Sequence, residues 1–364
     1  MPKQSPLQER HQLNGAVFSD EDGWIMPLHF GDSRQEYQSV RTHAGILDLC
    51  NRGLLRFSGP DRVSYLQGMV SNDVKQLAMG QGVHAAVLDV QGKILADTRV
   101  FCLDDSFLLD LWEPLKDKIL VHLNRYLIAD EVEITDLTGQ YGTLSLQGPK
   151  ARPLLRELFP RAEFPASELD HRESQLGGAE VRVARSARTG EEGYDLLIAT
   201  RDLLPTVSRI QEAGKPFFLR WIGTEAQEIL RVEAGIPRYG VDMNEDNLLL
   251  ETALDRAVSF HKGCYLGQEV VERVRSRGHV NKKLVGLLLE GDRAAERGST
   301  IRAGEKEIGR VTSSILSPAR KCALALGYVQ RDYLKPGTRV TIQRDEKSIP
   351  AAVSPLPFYQ PPSP

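Results

Sequence analysis

No stretch of this chain stays hydrophobic for the roughly 20 residues a membrane-crossing helix needs, and the longest apolar runs, such as Leu284 to Leu289, fall far short. A transmembrane helix and any membrane partner are therefore excluded. The opening residues, MPKQSPLQERHQ, have neither a hydrophobic signal core nor an Arg- and Ser-rich transit pattern, so the expected compartment is the cytoplasm. Net charge is scarce too. With 46 Lys and Arg against 49 Asp and Glu the balance is -3, which gives no overall drive toward nucleic acid or anionic lipid and confines any polyanion site to a local patch. Only four cysteines occur, Cys50, Cys102, Cys264 and Cys322, with no CxxC pair and no clustered histidines. No metal site is expected from that spacing, and a reducing cytosol disfavours a structural disulfide.

What is present is ordinary for a soluble globular protein, 41% apolar and 26% charged residues. A length of 364 residues exceeds what one core usually supports, so two or three domains are expected. From Val83 to Trp112, the runs VHAAVLDV, ILADTRVFCL and SFLLDLW alternate with Gln91-Gly92 and Asp104-Asp105 turns and predict a strand meander. AEVRVARSA and YDLLIA, joined by Gly190-Glu191-Glu192-Gly193, predict a second hairpin. LLRFSGPDRVSYLQGM and TLSLQGPKARPLLREL share a strand, a Gly-Pro and a helix with apolar residues at helical spacing, Pro taking the first helical position. Their similarity predicts two related lobes. Thr224 and Gln227 form a capping box ahead of AQEILRVEA, which Gly235 and Pro237 end.

After Asn281 only short strands follow, LVGLLLEG, IGRVTSSIL, CALALGYV, TRVTIQ and IPAAVS, which predict a small antiparallel barrel. The tail SPLPFYQPPSP predicts an extended arm. The expected domains are thus residues 1–280, two related lobes dividing near 140, and residues 281–364, the barrel with its Pro-rich tail.

Chemistry concentrates in KGCYLGQE, Lys262 to Glu269. Cys50, Cys102 and Cys322 stand among apolar neighbours and read as packing residues. Cys264 follows Lys262 by two residues and precedes a helix predicted over LGQEVVERVRS, with Glu269 and Arg273 paired on its outer face. Cations and helix N-termini favour a thiolate. A Gly-rich turn with a packing cysteine fits the spacing equally well. The run Arg273, Arg275, Arg277, His279, Lys282 and Lys283 fits either a solvated face or a docking strip for carboxylates or phosphates. Asp97, Asp195 and Glu233 are carboxylates flanked by apolar residues, each needing a partner or a ligand if buried.

HKGCYLGQEVVERVRSRGHVNKKLVGL resembles the signature of the YgfZ family, folate-binding proteins related to the T-protein (aminomethyltransferase) of the glycine cleavage system. YLQGMVSNDV, HAAVLDVQGKILAD, LQGP, GEEGYDLLI and LRVEAGIPRYGVDM extend the resemblance from about Val40 to Tyr328. It implies an α+β fold, a three-lobed cloverleaf of T-protein type with mixed, largely antiparallel sheets and a C-terminal β-barrel. It implies tetrahydrofolate, or a one-carbon derivative, as the cofactor. Asp195, beside Tyr194, falls where the T-protein pattern has a pterin-holding Glu, and Arg231 matches an Arg that helps hold folate. The acidic pair used in one-carbon transfer falls on Ala96 and Asp97, so one carboxylate is missing. That departure, with the KGCY motif, favours a folate-binding accessory protein for iron–sulfur cluster assembly or repair in client enzymes, tRNA-modifying ones included. Cys264, Lys262, Tyr265 and Asp97 would be its catalytic residues, and Asp195, Arg231, Asp97 and Tyr194 would bind the cofactor. Arg273, Arg275 and Arg277 would give a weak contact to tRNA or a polyglutamate tail. The competing expectation is aminomethyl transfer to tetrahydrofolate, with Asp97 as acid or base.

Overall fold

The computed structural model describes residues 2–345 and 347–361. The chain divides into two compact units, one made of residues 2–87, 96–227 and 257–265, the other of residues 88–95, 228–256 and 266 onward.

Two large sheets dominate the first unit. One has five strands in the order Gly82–Leu88, Ile94–Cys102, Phe107–Trp112, Arg52–Ser58 and Glu133–Asp136. The predicted meander supplies its first three. The other has six strands, His171–Leu176, Ala179–Arg185, Gly193–Ala199, Tyr141–Gln147, Gly45–Asp48 and Arg220–Trp221. Its neighbours are antiparallel except the last pair, which is parallel. The period-2 alternation of strands gives this sheet two unlike faces. Leu144, Leu146, Val181, Val183, Tyr194 and Leu196 point one way and pack with Leu154, Leu155, Leu203 and Val207, from the helices Ala151–Leu158 and Thr200–Gly214. Asp195, Leu197, Thr143, Arg182 and Ala184 point the other way.

Residues 2–42, which carry no readable pattern, include the helices Gln8–Leu13 and Ser33–Thr42 and a three-stranded sheet of Lys3–Gln4, Trp24–His29 and Val17–Glu21.

Each large sheet contains one copy of the strand, Gly-Pro, helix device. Gly59 and Gly148 have positive φ, +99° and +115°, and a Cβ there would meet the carbonyl oxygens of Glu131 at 2.2 Å and Val40 at 2.6 Å. Only glycine fits both demands. The helices begin at Arg62 and Ala151, two residues after Pro60 and Pro149 rather than on them. The proline belongs to the turn, and the next residue, Asp61 or Lys150, offers its carbonyl to the N–H of Tyr65 or Leu154. The Thr224 capping box is likewise corrected. Thr224 is already helical in Thr224–Glu233, Gln227 N–H bonds the Gly223 carbonyl, and the Thr224 hydroxyl reaches Glu21.

The second unit holds a closed barrel with the strand order Lys282–Leu289, Cys322–Gln330, Lys306–Ser317, Thr300–Ala303, Arg339–Arg344 and Lys347–Ser354. Five of these were expected, and the short Thr300–Ala303 was not. Alternation again sorts the side chains. Ala323, Ala325 and Val329 face the interior with Leu287, Ile301 and Val340. Leu324, Leu326 and Tyr328 face outward, where Val232 and Phe358 cover them. The described part of the Pro-rich tail is docked there: Phe358 is buried, and the N–H groups of Phe358 and Tyr359 both bond the Glu233 carbonyl. Gly286 makes room for the Phe358 ring, which a Cβ would meet at 2.6 Å.

Candidate functional site

Charges inside apolar strands are costly unless they find each other, and in the first unit they do. Along the five-stranded sheet, Arg52 Nε donates to Asp110 Oδ1 at 2.5 Å and Arg99 lies 3.7 Å from the same carboxylate. Arg99 and Asp110 are paired across neighbouring strands. Asp97 stands two residues before Arg99 on the same face, and its Oδ1 is hydrogen-bonded to His84 Nε2. From the six-stranded sheet comes Asp195. Arg188 Nε lies 3.0 and 2.9 Å from its two oxygens, Arg188 Nη2 lies 2.6 Å from Oδ2, and Ser145 Oγ donates to Oδ1 at 2.7 Å. Arg188 also lies 3.6 Å from Asp110, so it ties the charges of the two sheets together.

Of these groups Arg52, Asp110 and Asp195 line an open cavity, walled by Leu54, Phe101 and Leu197 and by the polar Thr143 and Arg182. Asp97 and His84 stand farther along the sheet face, within electrostatic reach of Arg99 and Arg52. Burial works to raise the Asp97 carboxyl, but His84, Arg99 and Arg52 outweigh it and hold it down to about 2. Asp195 is pushed up by burial and more strongly down by Arg188, so it too lies below the ordinary value. Burial, with Arg188 and Arg52 beside it, brings the Arg99 guanidinium down to about 10.

The other expected site residues are placed differently. Tyr194 precedes Asp195 in the strand and so points to the opposite face, into the helix-covered core, where its hydroxyl meets Glu192 and Arg152. Arg231 belongs to the second unit. All five of its N–H donors are committed there, to Glu228, Asp242, the Ile236 carbonyl and Ser313. Burial opposes its charge, and Asp242 and Glu228 more than restore it. Glu233, the third flagged acid, is buried in the second unit and accepts from Ser317 and the Ala319 N–H.

Lys262 is half-buried, and burial lowers its ammonium to about 8. Its Nζ donates to the carbonyls of Gln67, Val70 and Asn72, at 2.7, 2.5 and 2.8 Å, and lies 4.8 Å from the Tyr265 ring centroid. Those carbonyls lie at and just beyond the end of the helix Arg62–Met69, where backbone acceptors lack helical partners. Lys262 therefore works as a helix cap. Cys264 is exposed and bonded to none of the described residues. The helix read after it is Gln268–Arg277, capped by Gly267 at φ +81°, with Glu269 and Arg273 paired at 2.7 Å. Arg275 lies 3.6 Å from Glu272, whereas Lys282 and Lys283 face Glu251 and Asp255.

Reading the sequence missed His84, Arg52, Arg99, Asp110 and Arg188. A signal for two of them was present: Asp97-x-Arg99, and Asp110 between Leu109 and Leu111, place charges on one face of apolar strands.

Two large sheets bordering a charged cavity, and a closed six-stranded barrel, define an α+β class of architecture shared with a known family. The GCVT N-terminal domain matches residues 7–262 and the glycine cleavage T-protein C-terminal barrel domain matches residues 282–360. The chain belongs to the glycine cleavage T-protein family. It is 34% identical to an aminomethyltransferase of Rubrobacter xylanophilus over 98% of this chain and 94% of that protein. It is 30% identical to one of Saccharopolyspora erythraea over 99% and 98%. It is similar in structure to glycine cleavage system aminomethyltransferase T of Bartonella henselae, with a TM-score of 0.91 and 26% identity across 99% of each chain.

These matches correct the functional expectation. An accessory role in iron–sulfur cluster assembly or repair was favoured, yet relatives that match almost end to end are aminomethyltransferases. The competing expectation is the better supported. The lost carboxylate at Ala96 and the KGCY motif are local departures, and similarity spread over the whole chain outweighs them.

Proposed function

We propose that the protein is an aminomethyltransferase that moves a one-carbon unit from an aminomethyl donor to tetrahydrofolate in the cytoplasm. The observation that carries this reading is the charged cavity of the first unit, in a chain 34% identical over 98% of its length to an aminomethyltransferase. Among the described residues, no helix is long and apolar enough to cross a membrane.

The cavity suits a flat heterocycle with amide-like edges. Its walls are apolar at Leu54, Phe101 and Leu197, with a few convergent polar groups at Thr143, Asp110 and Asp195. Asp195 would hold the pterin edge. A ring edge with paired N–H donors presents the same fork that Arg188 presents now, so it competes with Arg188 for that carboxylate. Bound tetrahydrofolate would supply the nucleophilic nitrogen.

A carboxylate held down to about 2 is an anion at neutral pH. Asp97 therefore offers fixed negative charge to a reacting amine as positive charge develops, without reorganisation. Cys264 takes no part in this reading.

Steady-state turnover of tetrahydrofolate with an aminomethyl donor tests it. Wild type and Cys264→Ala turn over alike, and Asp97→Asn loses roughly a hundredfold in kcat. A wild-type protein that binds tetrahydrofolate without turnover overturns the proposal.

A further inference from the structure

We infer that His84 carries the proton in the transfer proposed above, with Asp97 fixing which of its ring nitrogens is free to do so. The inference rests on that reading and adds a residue to it. Nε2 of His84 is committed to Asp97 Oδ1, and Nδ1 makes no hydrogen bond to the described residues. The two side chains keep 26% and 21% of their surface, enough for a substrate nitrogen to approach. Asn72 Nδ2 donates to the His84 carbonyl at 2.8 Å and holds its backbone. The charged groups bearing on the pair are Arg99, on the strand of Asp97, and Arg52, from Arg52–Ser58.

The two partners divide the work. Asp97 is too acidic to hold a proton near neutrality, so it cannot act as the acid or base. Against a carboxylate anion, the neutral ring keeps its hydrogen on Nε2 and leaves the Nδ1 lone pair available. Amine exchange at the transferred carbon forms one N–C bond and breaks another. The accepting secondary amine loses one N–H proton, whose electron pair stays on nitrogen. Nδ1 takes that proton, the imidazolium rests against Asp97, and the same proton leaves on the departing amine as its C–N bond breaks. Atoms and charge balance without a further reactant. The dyad also accounts for a site that works with Asp97 and no second acid at Ala96.

Two measurements test the assignment. In ligand-free protein, long-range proton–nitrogen NMR of the His84 ring should show Nε2 protonated throughout the titration and Nδ1 gaining the proton, and Asp97→Asn should let both tautomers appear. In turnover, His84→Gln keeps an N–H toward Asp97 but cannot carry a proton. It should lose about a hundredfold in kcat, with KM for tetrahydrofolate within about twofold and the acid limb of the pH profile gone. Imidazole should restore His84→Ala. Protonation of Nδ1 in the neutral ring, or a His84→Gln profile like wild type, overturns the role of His84 and leaves the transferase reading standing. Absence of wild-type turnover overturns both.

Discussion

Lys262 shows how a side chain near a reactive-looking cysteine can be occupied elsewhere. All three of its N–H bonds go to carbonyls at the end of one helix, which a neutral side chain could not satisfy. Lys262→Met leaves those acceptors unpaired in a partly buried place, which should lower the unfolding free energy by about 3 kcal/mol. Urea denaturation measures it; a change below 1 kcal/mol would mean that water replaces the ammonium at little cost. The sequence drew attention to Lys262 but gave no means to see its partners, which lie 190 to 195 positions away. Asp97 and Asp195 were legible for a stronger reason: a carboxylate between apolar neighbours must be answered. Most of the answering groups were not legible, because His84 and Arg188 reach the acids through strand pairing and a loop. Tyr194 was misjudged by a single position, since neighbours in a strand face opposite ways.

Among elements, the twice-used strand, Gly-Pro, helix junction ties local sequence most closely to fold. Gly148 cannot be replaced without moving the backbone of Val40 or His43, whose carbonyl oxygens a new Cβ would meet at 2.6 and 2.7 Å. Gly148→Ala should therefore cost about 2 to 4 kcal/mol, combining the strained φ of +115° with that clash. Thermal unfolding checks it, and Gly139→Ala is the control: positive φ of +81° but nothing within 4 Å, so the smaller loss. Most strands were readable because alternation and turn glycines coincide. Thr300–Ala303 escaped because four residues carry too little pattern, and the N-terminal strands escaped because the polar SDEDG run and the proline inside WIMPLH resemble loops.

At the scale of the molecule, ionisation of buried carboxylates couples the fold to acidity. Burial tends to raise Asp97, Asp195 and Asp48, while His84, Arg188 and His11 respectively prevail and lower them. A carboxylate lower in the folded than in the unfolded state stabilises the fold fully above about pH 4, and that stabilisation drains away as pH falls toward the folded value. Stability should thus drop from pH 4 toward pH 2. Asp97→Asn should flatten that drop by about 2 kcal/mol, because asparagine has no carboxylate to protonate in this window. Denaturation midpoints at a series of pH values decide; equal slopes would mean that Asp97 titrates alike in both states. The strand Gly193–Ala199, which sends Tyr194 into the core and Asp195 into the cavity, carries a different consequence for how such a chain can change over generations. Gaining or losing one residue inside it would exchange those two side chains, burying a carboxylate in hydrocarbon and filling the cavity with a phenol. Insertions and deletions in descendants should accumulate in the turn around Gly190 and spare the strand, where only substitution is tolerated.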